Sequence, residues 1–235
     1  MRSCLIQLLL TFAVLFAIAW FGVPLGAGWL ATTALNANGF TGTDTRVEVK
    51  ADLPPRILLG HADSIHLTST QVGIHDLHAG TIDLTLSEVD LFNRKFATVT
   101  GTLTTVTVFA ADGKPATIDS VKVNGNSTAA VSTLTISNKE AARLAESQLQ
   151  DRGIPSKVVL QSPDNVTITA GGHVAHARLQ VNDGSLQLVP TGNDLPLLTL
   201  IEKGGGNPFA LTSVSIGAAS VTLVGSLDLQ TLLGI

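Results

Sequence analysis

Alternation of apolar and polar positions with a period of two dominates the chain from residue 46 onward. Arg46-Val47-Glu48-Val49-Lys50 alternates, and Ile82, Leu84 and Leu86 alternate with Asp83, Thr85 and Ser87. Successive side chains of a strand point to opposite faces, so this pattern predicts half-buried strands. Phe96 to Val108 is a long Thr/Val run with Asp112-Gly113 behind it as a turn signal. Ile118 to Val123 runs into a second turn signal, Asn124-Gly125. The pattern predicts further strands at Lys157–Gln161, Val166–Thr169, Val174–Val181 and Ser185–Val189, with Asp183-Gly184 as a hairpin between the last two. The stretch from Phe209 to Leu229 supplies at least two more.

Three segments break the alternation. Ser137-Asn138-Lys139-Glu140 has the form of a capping box, and Ala141, Leu144, Ala145, Gln148 and Leu149 follow at helical spacing. Gly153 and Pro155 stop the run, which predicts one amphipathic helix of about four turns. Its apolar stripe must lie on another element, and the apolar face of the sheet is the partner the chain offers. Leu53 to Gly60 opens with two prolines and closes on glycine, the form of a single helical turn. Leu195 to Glu202 is apolar and predicts a short helix stopped by Gly204, Gly205 and Gly206.

The N-terminus has no amphipathic period at all. Arg2 is followed by an apolar run from Cys4 to about Val23, interrupted only by Gln7 and Thr11, and no charge follows until Asp44. As a helix this run is about 30 Å long, enough to cross a bilayer. The charge asymmetry predicts the N-terminus inside and the domain outside. The apolar core is longer than that of a signal peptide, and Gly26-Ala27-Gly28 is the nearest approach to a cleavage site. Residues 1–24 are therefore read as a retained anchor, with a cleaved signal peptide as the alternative. Residues 25–45 read as a small, polar connector, and 46–235 as a single β-rich domain.

Composition narrows the function. Charged residues make up 14% of the 235-residue chain, with a net charge of -4. That is well below the usual ~25% and argues against a nucleic-acid surface, which needs clustered Lys and Arg. Aromatic residues are 4% and Tyr is absent, so the apolar content is Val, Leu, Ile and Ala mixed with Thr and Ser, a mixture that favours strands. The one cysteine, Cys4, lies in the apolar N-terminus, so the domain has no disulfide.

Candidate chemistry is sparse. His75-Asp76-Leu77-His78 is the closest histidine pair, and His61, Asp63 and His66 lie nearby in sequence. Positions three apart on a strand face opposite ways, a poor arrangement for a shared metal, although a loop would let them converge. His173 and His176 have the same spacing. No G-x-S-x-G elbow, phosphate loop or dinucleotide fingerprint is present. Asn126-Ser127-Thr128 and Asn165-Val166-Thr167 are formal glycosylation sequons. The residues assign no catalytic group, no metal and no cofactor.

The order of motifs carries a resemblance. Val47-Glu48-Val49 leads to Leu53-Pro54 and Ile57-Leu58-Leu59-Gly60, then Leu134-Thr135-Ile136-Ser137 enters the helix. Val181-Asn182-Asp183-Gly184-Ser185-Leu186-Gln187-Leu188-Val189-Pro190 follows, and Pro208-Phe209-Ala210-Leu211-Thr212-Ser213-Val214 closes the series. Over residues 45 to 229 this resembles the LmeA-like phospholipid-binding family of bacterial envelope proteins, related to the tubular lipid-binding (TULIP) superfamily. The resemblance implies an α+β, β-rich fold in which a long curved antiparallel sheet wraps one amphipathic helix. It implies a non-catalytic protein of the cell membrane whose partners are the bilayer and a phospholipid or other acyl-chain ligand. Under it the apolar trough would be lined by Ile82, Leu84, Leu86, Leu103, Val106, Val108, Leu144, Leu149, Leu179 and Val181. Connector 25–45 is shorter here than the amphipathic first helix of many relatives, which bears on how the trough closes. Two other readings stand beside it. One is a structural or adhesive envelope domain with a dry core; the other is a hydrolase using the histidines between 61 and 78.

Overall fold

Most of the alternating runs do become strands, and several extend beyond the alternation that predicts them. The computed structural model describes residues 40–52, 60–74, 77–90, 93, 95–109, 114–192, 196–201, 203 and 209–227. The expected anchor at 1–24, the connector up to residue 39, the turn over 53–59, His75-Asp76 and the Asp112-Gly113 turn lie outside them. Strands β1 (Phe40–Lys50), β2 (His61–Ile74), β3 (Leu77–Asp90), β4 (Thr98–Phe109), β5 (Pro115–Gly125) and β6 (Ala130–Ser137) form a meander. Helix α1 (Asn138–Asp151) follows, then β7 (Ser156–Gln161), β8 (Asn165–Ala170), β9 (His173–Asn182), β10 (Ser185–Pro190) and β11 (Leu198–Ile201). The described chain closes with β12 (Phe209–Ile216) and β13 (Ser220–Leu227).

The strands form two antiparallel sheets. The larger has eight strands in the order β1-β2-β3-β4-β5-β6-β13-β12, and the smaller has five in the order β11-β10-β9-β8-β7. The final hairpin thus returns to pair β13 with β6 across the whole intervening small sheet, Leu223 opposite Leu134. Backbone bonds tie the two sheets where β12 meets the small one: Leu211 N–H donates to Gly184 O at 3.1 Å and Ile216 N–H to Pro163 O at 2.7 Å. The buried residues of both sheets form one hydrophobic cluster.

A long row of apolar residues crosses the large sheet on its inner face. Ile82 stands opposite Leu103, Leu103 opposite Val121, Val121 opposite Leu134 and Leu134 opposite Leu223. All five are buried. Beside this row the pleat skips a step. Ser69 and Val72, Ala79 and Ile82, Leu103 and Val106, and Ile118 and Val121 are each buried although three positions apart. In an unbroken strand such pairs would face opposite ways. The skips fall in line across β2 to β5, so each strand carries the same extra residue and the hydrogen-bond register between neighbours stays unchanged. Gln71 (φ 49) and Thr105 (φ 50) absorb the skip in left-handed conformation, rare for a non-glycine residue and most costly for β-branched threonine. As at a β-bulge, an extra residue of this kind bends the strand that holds it.

Helix α1 begins and ends on the predicted signals. Ser137 Oγ accepts from Glu140 N–H at 3.3 Å. At the other end Gly153 adopts φ 79, its N–H donates to Gln150 O and Ile154 N–H donates to Leu149 O, both at 2.9 Å. That is the Schellman arrangement, which uses the last free carbonyls of the helix. The reciprocal half of the capping box does not form. Glu140 instead takes Arg143 Nη2–H at 2.8 Å and Thr117 N–H of β5 at 3.3 Å, and Arg143 also donates to Pro115 O.

Three sequence expectations are corrected. Leu195 to Glu202 holds no helix in its described part: Leu198–Ile201 is a strand, because Leu198 and Leu200 alternate inward and the segment pairs with β10. The turn expected at Asn124-Gly125 lies one step later, since Gly125 still pairs with Ala130 and the chain reverses over residues 126–129, where Asn126 Oδ1 accepts from the Thr128 and Ala129 amides. Strand β1 starts at Phe40, within the stretch read as connector, and Asp44 (φ 52) breaks its alternation there. The Asp183-Gly184 hairpin is present as expected, with both residues at positive φ (46 and 74) between β9 and β10, the geometry of the type I′ turn that Asp-Gly favours.

Candidate functional site

Helix α1 lies between the two sheets and meets chiefly β7, with lesser contacts to β5, β6 and β13. Ala145 and Leu149 are buried, and Ala141 and Leu144 pack against the core. Several polar contacts fix the helix in place. Asn138 donates from its side chain to Gly217 O and Ala218 O in the β12–β13 turn, at 3.0 and 3.2 Å. Glu146 accepts from the Val158 amide on β7 at 2.8 Å, which occupies an N–H of this edge strand. Arg152, at the helix C-terminus, donates to Thr199 O on β11.

A recess of about 90 Å³ remains between the helix and the sheets. From α1 it is lined by Ala141, Leu144 and Ala145. The small sheet contributes Leu160, Leu179, Leu186, Leu188, Leu200 and Ile201; the large sheet contributes Ile136, Val221 and Leu223. Every lining side chain is apolar, so the recess has nothing to hold a charge or a metal. It exists because two alanines, one helical turn apart, face the leucines of the small sheet. Its volume is below the roughly 150 Å³ of a dry cavity that takes up benzene and far below the ~300–1,000 Å³ of ordinary ligand sites.

Of the ten residues that the resemblance placed along a trough, Leu144 and Leu179 line this recess. Leu149 is buried under the helix, and Val181 is half-buried against the core. Ile82, Leu84, Leu86, Leu103 and Val106 are packed inside the large sheet, none more than 2% exposed. Only the backbone of Val108 is described, opposite Ala116. The alternation found the buried face but missed Leu186, Leu188, Leu200 and Leu223. The Asp183-Gly184 hairpin signal does place Leu186 and Leu188 on one strand face; nothing local brings them to the helix.

The described histidines, His61, His66, His78, His173 and His176, lie on strands rather than loops. His66 Nε2 is 3.0 Å from Asp83 Oδ1 and His61 Nδ1 is 3.8 Å from Asp90 Oδ2, both across the β2–β3 pair. The two are five residues apart on β2, about 16 Å at the usual rise. His78 is exposed on β3, and His173 and His176 are exposed on β9. Among the described residues no three His, Cys, Asp or Glu side chains are grouped to hold a metal ion, and no helix is long and apolar enough to cross a membrane.

Glu140 on α1 is a carboxyl with a clear electrostatic signature. The hydrogen bond from Arg143 lowers its pKa below the ordinary value; burial opposes this, and the Arg143 charge and the Thr117 amide reinforce it. A depressed carboxylate pKa adds stability that is present above the unfolded value of about 4.3 and is lost as pH falls through the folded value. We expect Glu140→Gln to cost about 1 kcal/mol at pH 7. Melting curves at stepwise lower pH should show the variant and the parent converging below about pH 4; a difference that persists there would mean the contact acts through packing.

No protein-family model, curated protein or solved structure matches the chain.

Proposed function

We propose that the chain is a membrane-tethered, extracytoplasmic lipid-binding or lipid-transfer protein of the cell envelope, without catalytic chemistry of its own. The observation that carries this reading is the recess between α1 and the small sheet, bordered by apolar side chains alone. Such a surface binds hydrocarbon by excluding water, at about 0.8 kcal/mol per buried CH₂. The long sheet, the capped helix α1 and the apolar run at 4–23 agree in kind with the LmeA-like resemblance. Phospholipid is the ligand class that follows from it, with the N-terminal run as the tether that keeps the domain near its source.

The test is to extract the full chain gently from membranes and analyse it by native mass spectrometry. Co-purified phospholipid is expected. Ala141→Leu should abolish it, because the longer side chain fills the recess, while the melting temperature holds or rises. A parent protein that emerges free of lipid would sink the proposal.

One observation favours a second reading. The recess is small, and Ile82, Leu84, Leu86, Leu103 and Val106 are closely packed, as in a structural or adhesive domain with a dry core. That reading predicts no bound lipid in either protein and the same gain in stability from Ala141→Leu.

A further inference from the structure

A recess of about 90 Å³ admits an acyl chain only if one of its walls moves, and the walls are not equally braced. On one side stand α1 and β7. Strand β7 pairs with β8 over six registered positions, and its Val158 amide is held by Glu146 of the helix. On the other side stands β11, which supplies Leu200 and Ile201. It is four residues long, is the terminal strand of its sheet and pairs with β10 at three positions, with a register slip at Leu186/Gln187. Beyond those pairings, the exposed Arg152 side chain reaches across from the helix C-terminus to Thr199 O, and the Lys203 amide donates to Ser185 Oγ at 3.0 Å. A short edge strand with few pairings belongs to the low end of a protein's local opening energies.

We propose that β11 is a gate over the recess and that Arg152 is its latch. The inference rests on the lipid-binding reading for its purpose, but not for its mechanics. When β11 swings from β10, Leu200 and Ile201 leave the recess, and the Leu179, Leu186 and Leu188 side chains become open to an incoming chain. Strand β10 stays in place through its pairing with β9, which is registered from Ser185 opposite Asn182 to Pro190 opposite Ala177. Closure needs no new contact: it restores the β10–β11 pairs and the Arg152 bond.

Hydrogen exchange read by mass spectrometry on the full chain in mild detergent tests the gate directly. The amides of residues 198–201 should exchange well ahead of those of β9, and Arg152→Ala should speed them about five-fold, the worth of one hydrogen bond, with β9 unchanged. Gln187 and Thr199 are Cα partners outside the recess lining, and directly opposed antiparallel residues lie within disulfide reach. A Gln187→Cys/Thr199→Cys pair in a Cys4→Ser background should, when oxidised, slow the same amides by more than about ten-fold and recover on reduction. If 198–201 exchange in step with β9 in the parent and in Arg152→Ala, the gate is overturned. A second arm places the double-cysteine protein with phosphatidylcholine vesicles carrying a diazirine-labelled acyl chain. Cross-links to β9 and β10 are expected in the reduced form and not in the oxidised one; equal labelling of both overturns the gate. Local opening with no cross-link in either form would leave the gate standing and remove the lipid-binding reading.

Discussion

Leu103→Ala should lower the stability of the domain by about 3 kcal/mol and its melting temperature by roughly 10 °C. Leu103 is 1% exposed and stands between Ile82 and Val121 in the row that runs from Ile82 to Leu223. Its neighbours in that row are branched side chains on paired strands, held by backbone ladders on both sides, so they cannot close over the space a leucine leaves. The cavity therefore persists, and its cost adds to the lost transfer energy. Thr102→Ala, one position away on the outer face, should change the melting temperature little. Thermal unfolding followed by circular dichroism decides the matter. A loss below about 1 kcal/mol for Leu103→Ala would mean the inner face is already loosely filled, the condition expected of a lipid-lined trough rather than a packed sheet.

Gly125→Ala should cost about 3 kcal/mol for a different reason. A methyl group at Gly125 would lie 2.3 Å from both Ala129 O and Ala130 Cα. The first is a backbone atom of the turn that joins β5 to β6 and the second of the first residue of β6, and Asn126 already binds that turn through the Thr128 and Ala129 amides. No side chain can rotate away to make room, so the hairpin itself must shift. Gly153→Ala is the instructive comparison. Nothing lies within 4 Å of its added methyl, yet φ is +79, so the substitution should cost only the ~1–2 kcal/mol of a left-handed non-glycine residue. Denaturant titration of the three proteins would separate the cases; equal losses at the two glycines would show that the 126–129 turn yields more easily than its hydrogen bonds suggest.

Local physics was legible in the sequence. Period-two runs located Ile82, Leu84 and Leu86 on a buried face, the Ser137–Glu140 spacing located the start of the helix, and Asp183-Gly184 located a hairpin. These signals depend on residues within a few positions of one another. What was missed depends on partners far along the chain. Leu198 and Leu200 make too short an alternation to declare a strand without β10 beside them. The division into two sheets follows from β13 choosing β6 as its neighbour, a pairing that no local motif announces. Most of the recess lining was missed for the same reason: Leu186, Leu223 and Ala141 lie on three elements and meet only when the sheets close on the helix. The resemblance implies that Leu103 and Val106 both face inward, which a regular strand forbids; the left-handed Thr105 between them buries both.

The aligned skip across β2 to β5 has a consequence for how such a sheet can change over generations. At this line each of the four strands carries one residue more than a plain pleat would need there, and the ladders match because all four carry it together. Deleting that residue from β4 alone would turn one half of the strand inside out relative to β3 and β5. A single-residue deletion or insertion here is therefore a lineage dead end unless its neighbours follow, and descendants would be expected to keep these four strand lengths as a set. Length variation would be confined to the turns, where a hairpin can grow or shrink without asking anything of the strand beside it.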